Sequence, residues 1–221
     1  MGEIKKTRMM EQTKGEHGSS LKPVDWRGKP GDLFKIIGAT GHSKQQRAEH
    51  DYYATDPMTI VSLFSQEQFA DKIWEPACGE GHLSKMMRWK YGKAVRESDV
   101  VDRMGNEVLN FLKLDSAKQH WDGDIITNPP YKYAKEFVEK ALDIIYDGHK
   151  VAMFLKLTFL EGQQRRQLFT KAPPKTVYVF SKRQLCARNG DFDTYKANSC
   201  VCHAWFVWVK GFRGDPVIRW I

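Results

Sequence analysis

Asn128-Pro129-Pro130-Tyr131 is the stretch of this 221-residue chain whose residue types most directly imply chemistry. Neither proline carries a backbone N–H, and each pushes the residue before it into extended geometry. Asn128 and Pro129 are therefore expected in a stiff, extended corner. The corner's carbonyls and the Asn128 side chain are expected to point outward without internal partners. Two acceptors held together suit a group with two N–H donors, such as an exocyclic amine. The flat ring of Tyr131 beside them suits stacking on a base.

The flanking sequence places this corner. Asp124-Ile125-Ile126-Thr127 reads as a buried strand, and a helical pattern begins at Tyr133. The corner thus sits where a strand passes into a crossover helix, which is where open α/β sheets bind ligands. A second constellation, Glu75-Pro76-Ala77-Cys78-Gly79-Glu80-Gly81, follows another short strand, Ile73-Trp74, and precedes a helix. Gly79 and Gly81 let backbone approach a ligand with no Cβ in the way. Asp99 lies 20 residues after Gly79, at the end of the next strand. A carboxylate there can accept hydrogen bonds from both hydroxyls of a ribose, with Glu97 as a nearby competitor.

The elements around these motifs follow from apolar spacing. Pro57 suits a first helical turn, and Ile60, Val61 and Phe64 predict a helix over 57–70. Helices are expected over 82–90, 132–146 and 163–169. Strands are expected over 94–99, 151–155, 176–180 and 203–209, with a short amphipathic segment at 108–112. Residues 184–200 read as a long polar loop, and loops of that length are often functional. The alternation of strands and helices, ending in two strands that can pair, predicts an α/β fold. It is a doubly wound, Rossmann-like, mostly parallel sheet with an antiparallel C-terminal edge.

Composition narrows the class. Hydrophobic residues at 41% and charged residues at 28% are those of a soluble globular protein. No run of 18 apolar residues predicts a membrane span, and residues 1–16 have no apolar core of a secretion signal. Residues 1–50 read as a flexible basic N-terminal arm and 51–221 as the catalytic domain. The net charge of +8 is uneven, with +7 carried by residues 161–221 against −3 over 51–160. A basic flank on a slightly acidic core fits a nucleic-acid partner. Arg165, Arg166, Lys182, Arg183, Arg188 and Lys196 are the candidate phosphate contacts. The four cysteines are scattered, which fits a reduced cytoplasmic protein. Cys200-Val201-Cys202-His203 lacks a second ligand pair and reads as strand alternation, so no metal is expected.

Taken together, these motifs resemble those of the S-adenosylmethionine-dependent amino-methyltransferases. Asn128-Pro129-Pro130-Tyr131 resembles their motif IV, which also occurs in protein-glutamine methyltransferases. Glu-Pro-Ala-Cys-Gly-x-Gly is nearer the adenine-specific DNA enzymes than the Asp-x-Gly-x-Gly of the glutamine enzymes. Asn110-Phe111 is similar to the family's adenine-contact pair, where Asp-Phe is usual. Tyr53-Ala54-Thr55-Asp56-Pro57 is similar to the leading segment that covers the methionine carboxylate. The motif order is that of the γ arrangement, over residues 50–160. Later segments resemble small methyltransferases of bacteriophages and mobile elements, with no large recognition domain expected.

The resemblance implies S-adenosylmethionine as cofactor. It would be bound by Tyr53, Thr55, Glu75, Pro76, Ala77, Cys78, Gly79, Gly81, Asp99, Asn110 and Phe111. Asn128, Pro129, Pro130 and Tyr131 would be catalytic, acting on N6 of an adenine flipped out of double-stranded DNA, with Phe192 or Tyr195 closing over the base. RNA adenine, cytosine N4 and protein glutamine offer the same –NH2. Cytosine N4 enzymes more often carry Ser where Asn128 stands. A nucleic-acid-binding protein without turnover, on the same scaffold, is the alternative from another class.

Overall fold

Strand β6 (Lys150–Lys156) shows how this sequence builds its core. Its lysines stand at either end of five apolar residues, each no more than 1% exposed. Val151, Met153 and Leu155 face one apolar cluster, while Ala152 and Phe154 face another. That two-residue period is the pleat of a strand covered on both faces. Full burial of one such side chain, Phe154 for instance, contributes roughly 1.5–3 kcal/mol.

The computed structural model describes residues 53–182, 184, 186–188 and 201–221. The proposed arm over 1–50, together with Arg183, Phe192, Tyr195 and Lys196, lies outside the described residues. The strands are β1 (Tyr53–Thr55), β2 (Lys72–Glu75), β3 (Ala94–Asp99), β4 (Glu107–Val108) and β5 (Asp124–Thr127), then β6. They continue as β7 (Thr176–Val179), β8 (Cys186–Arg188), β9 (His203–Val209) and β10 (Val217–Trp220). The α-helices are α1 (Met58–Phe64), α2 (His82–Tyr91), α3 (Ala134–Ile144) and α4 (Gln163–Lys171). Among the described residues no helix is long and apolar enough to cross a membrane.

Eight strands form one sheet in the order β10-β7-β9-β6-β5-β2-β3-β4. All neighbours are parallel except β9, which runs antiparallel to both β6 and β7. The antiparallel C-terminal part expected from sequence is therefore present. Its antiparallel strand lies between β6 and β7, and the outermost strand, β10, is parallel. Helices α1 and α2 supply Ile60, Leu63, Leu83 and Met87 to one face of the sheet. Helices α3 and α4 supply Phe137, Val138, Ala141, Ile144 and Leu168 to the other. Buried tryptophans keep their N–H groups satisfied: Trp74 donates to Ser98 Oγ, Trp205 to the Thr59 carbonyl and Trp208 to the Ala172 carbonyl.

Helix α1 ends at Phe64, short of the expected residue 70. The chain leaves the helix just before Glu67, whose carboxylate takes the Lys150 ammonium at 2.6 Å and the Tyr178 hydroxyl at 2.7 Å. Those distant partners outweigh local helix propensity. The amphipathic segment at 108–112 divides into β4 and a 3-10 turn, Phe111–Lys113. A separate two-stranded ribbon pairs β1 with β8, setting Thr55 opposite Cys186.

Candidate active site

Two adjacent, parallel strands carry both motifs. β2 pairs with β5 in the register Ile73↔Asp124 and Trp74↔Ile125. Their C-terminal ends therefore emerge side by side, one into the glycine bend and the other into the proline corner.

The bend is built on backbone geometry that only glycine adopts easily. Gly79 has φ 55 and Gly81 has φ 72, both left-handed. A Cβ at Gly81 would lie 2.8 Å from Glu97 Oε1, so a side chain there would have to displace the Glu97 carboxylate as well as take up a left-handed φ. Gly81 also opens α2 as its N-cap. The bend is tied to β3: Cys78 N donates to the Ser98 carbonyl at 3.1 Å, and Gly79 N donates to Asp99 Oδ2 at 2.9 Å. Asp99 Oδ1 accepts from Val101 N at 3.3 Å. Each Asp99 oxygen thus holds one backbone N–H and keeps capacity for another donor. Glu97 faces Arg88, at 2.8 Å. The two acidic residues left as competitors by the sequence therefore face different partners, and Asp99 is the one bonded to the bend.

Beneath the bend, Glu75 is 2% exposed and accepts a hydrogen bond from Ser84 Oγ. Burial raises its carboxyl to about 8, with Glu97 adding to the shift and the Ser84 bond opposing it. Glu75 is therefore protonated at neutral pH. Burial, with the charges of Glu75, Asp99 and Glu97, likewise pushes the Cys78 thiol up, so it is a packed thiol and not a nucleophile.

Glu75 makes stability pH-dependent in a defined direction. Between pH 4.5 and 8 the folded chain holds a proton on Glu75 that the unfolded chain releases. The stabilisation is complete below 4.5 and is lost as pH rises toward 8. A Glu75→Gln variant keeps the shape without this proton. Its melting temperature minus that of the wild type is expected to increase across that window by roughly 5 °C or more. Thermal unfolding followed by circular dichroism at several pH values checks this, and a flat difference would contradict it. His203 titrates in both proteins and cancels in the difference.

At the end of β5, Asn128 is half-buried, Pro129 buried and Pro130 exposed. A 3-10 turn, Tyr131–Tyr133, leads into α3, which runs from Ala134 to Ile144, two residues inside each end of the helix expected over 132–146. That turn claims one carbonyl expected to face outward, since Tyr133 N donates to Pro130 O at 2.8 Å. No backbone N–H among the described residues donates to the Pro129 carbonyl. The Asn128 amide nitrogen donates to Thr55 Oγ1 at 2.7 Å.

Two residues not anticipated from sequence complete this corner. Lys156 and His203 are register partners at the ends of β6 and β9. The Lys156 ammonium lies 5.0 Å from the Tyr131 ring centroid, and the His203 ring lies 5.8 Å from it. His203 stacks on Phe154 at 5.0 Å and 14°. Burial, then the Lys156 charge, lowers the His203 imidazole to about 4, so it is neutral at pH 7. Lys156 had one sequence signal, a charged residue at the end of an apolar strand.

The other anticipated residues are placed as follows. The Asn110 side chain accepts from Leu112 N at 3.2 Å and caps the 3-10 turn, while Leu109 N donates to the Asp99 carbonyl at 2.8 Å. Phe111 is 1% exposed and packs on Phe137 and Trp74, so in this conformation it belongs to the core beneath the site. Pro76 is buried and Ala77 half-buried within the bend. The backbone of Tyr53 pairs with that of Arg188. Arg165 binds the carbonyls of Thr158, Phe159 and Glu161, so its guanidinium holds a local turn. Arg166 and Lys182 are exposed.

No protein-family profile matches the sequence, and no curated protein matches it. Solved structures do match. A class I S-adenosylmethionine-dependent methyltransferase of Listeria monocytogenes superposes with a TM-score of 0.53 at 12% identity, over 86% of this chain and 71% of that one. A predicted O-methyltransferase of Agrobacterium tumefaciens gives 0.53 at 13% identity, over 75% of this chain and 85% of that one. The type IIG restriction endonuclease BpuSI gives 0.52 at 14% identity, over 83% of this chain but 28% of that one. At these identities the likeness establishes the fold, which is the Rossmann-like fold of class I methyltransferases.

Proposed function

We propose that this chain, which has the class I methyltransferase fold, transfers a methyl group from S-adenosylmethionine to N6 of adenine in DNA. One observation carries the reading. The Asn-Pro-Pro-Tyr corner and the glycine bend leave neighbouring parallel strands at the same, C-terminal end of the sheet. An amine-binding corner and a nucleoside-binding bend are of use together only if a group passes between their ligands.

The residues present fit the cofactor. The bend offers backbone without a Cβ at Gly79 and Gly81, and Asp99 can accept one ribose hydroxyl on each oxygen while holding its backbone donors. When bound, S-adenosylmethionine supplies an electrophilic methyl group. Asn128 Oδ1 and the Pro129 carbonyl accept the two hydrogens of the target –NH2, which draws its lone pair out of the ring and aims it at the bend. Fixed dipoles here also match the positive charge that develops on nitrogen. Tyr131 offers its ring for stacking on the flipped base, and extrusion of the base costs a few kcal/mol. The protonated Cys78 takes no part, since a freed amine needs no covalent intermediate.

The basic C-terminal portion favours nucleic acid over a protein amide, and Asn128 favours adenine over cytosine. Similarity to a restriction endonuclease is in keeping with DNA. The test is incubation with methyl-labelled cofactor and, separately, double-stranded DNA, RNA and protein. Label appearing as N6-methyladenine in DNA is expected. Label confined to RNA or protein would move the substrate, and label in none of them would overturn the reading.

A further inference from the structure

We infer that Thr55 is a positioning residue that holds the Asn128 side chain with its amide oxygen toward the substrate. The inference rests on the amine-binding role of Asn128 and assigns Thr55 a different task from the cofactor contact that its sequence motif implies. A primary amide has one accepting and one donating end, nearly identical in shape. Amine binding works in only one of the two orientations, because the reversed amide would present N–H groups to N–H groups. The end turned away from the substrate therefore needs an anchor within the protein.

Thr55 supplies it. The Asn128 amide nitrogen donates to Thr55 Oγ1 at 2.7 Å, which turns Oδ1 the other way. Thr55 is 3% exposed, so the bond is shielded from competing water. Its backbone is held by pairing with Cys186 in the β1–β8 ribbon. The leading segment thus reaches across 73 residues of sequence to fix one catalytic side chain.

Thr55→Val keeps the shape and β-propensity and removes Oγ1, and Thr55→Ser restores the hydroxyl without the methyl. Steady-state kinetics, cofactor binding by calorimetry and the side-chain 15NH2 signal of Asn128 are measured for each. That signal is assigned by its loss in Asn128→Ala. Thr55→Val is expected to lower kcat about ten-fold, with cofactor affinity within about two-fold of wild type and a displaced amide signal. Thr55→Ser is expected to recover most of kcat and the wild-type signal. An unchanged kcat in Thr55→Val overturns the inference, and so does a loss of cofactor affinity that matches the loss of rate. If wild type methylates nothing, the proposed function fails, whereas an amide signal that ignores Thr55→Val refutes the Thr55 bond itself. Should Thr55→Val not fold, Thr55→Ser and Thr55→Ala are read on the same three measurements.

Discussion

Replacing Asn128 by Ala is expected to lower methyl transfer by about 10³-fold while changing cofactor affinity less than about three-fold. The substitution removes the side-chain acceptor for the target amine, an acceptor matched to charge that grows during transfer. Preorganised groups of this kind are typically worth about 10²–10³ in rate, and loss of in-line aim adds to that. The glycine bend is built on β2 and β3 and does not depend on Asn128, so the cofactor should still bind. Labelled methyl incorporation and calorimetry separate the two effects. A variant that transfers methyl at the normal rate would remove Asn128 from the mechanism.

Asp99→Asn is expected to weaken cofactor binding by roughly 100-fold, or about 3 kcal/mol, with kcat at saturation largely kept. Both Asp99 oxygens already accept backbone N–H groups, from Gly79 at 2.9 Å and Val101 at 3.3 Å. An amide can serve only one of them as an acceptor, so its –NH2 end must face the other N–H. The substitution therefore loosens the bend as well as removing one ribose acceptor. Calorimetric titration with S-adenosylmethionine measures the loss. An affinity within a few-fold of wild type would place the ribose elsewhere, and Glu97→Gln would be the next variant to titrate.

What was legible in the sequence follows a physical division. Pro129, Pro130, Gly79 and Gly81 act through their own backbone constraints, so their positions could be read locally. The strands 94–99, 151–155, 176–180 and 203–209 declared themselves by length and apolar content, and each falls within a residue or so of β3, β6, β7 and β9. Partners distant in sequence were not legible. β1 is three residues long and exists by pairing with β8, over 130 residues away. β10 presents four exposed residues and no alternation. Lys156 and His203 meet Tyr131 only because β9 pairs with β6 in one register. The contact between Asn128 and Thr55 depends on the ribbon, and a bare Thr in a leading segment could not announce it.

The placing of β9 has an effect on how the chain comes to be made. β6 carries five fully buried residues in a row, yet one of its two edges waits for residues 203–209, which leave the ribosome about fifty positions later. Until then a nascent chain exposes Val151 to Leu155 with an open row of amides and carbonyls, a template for pairing with its neighbours on a polysome. Insertion of β9 closes that edge and, in the same event, brings His203 beside Tyr131, so protection from aggregation and completion of the proline corner arrive together.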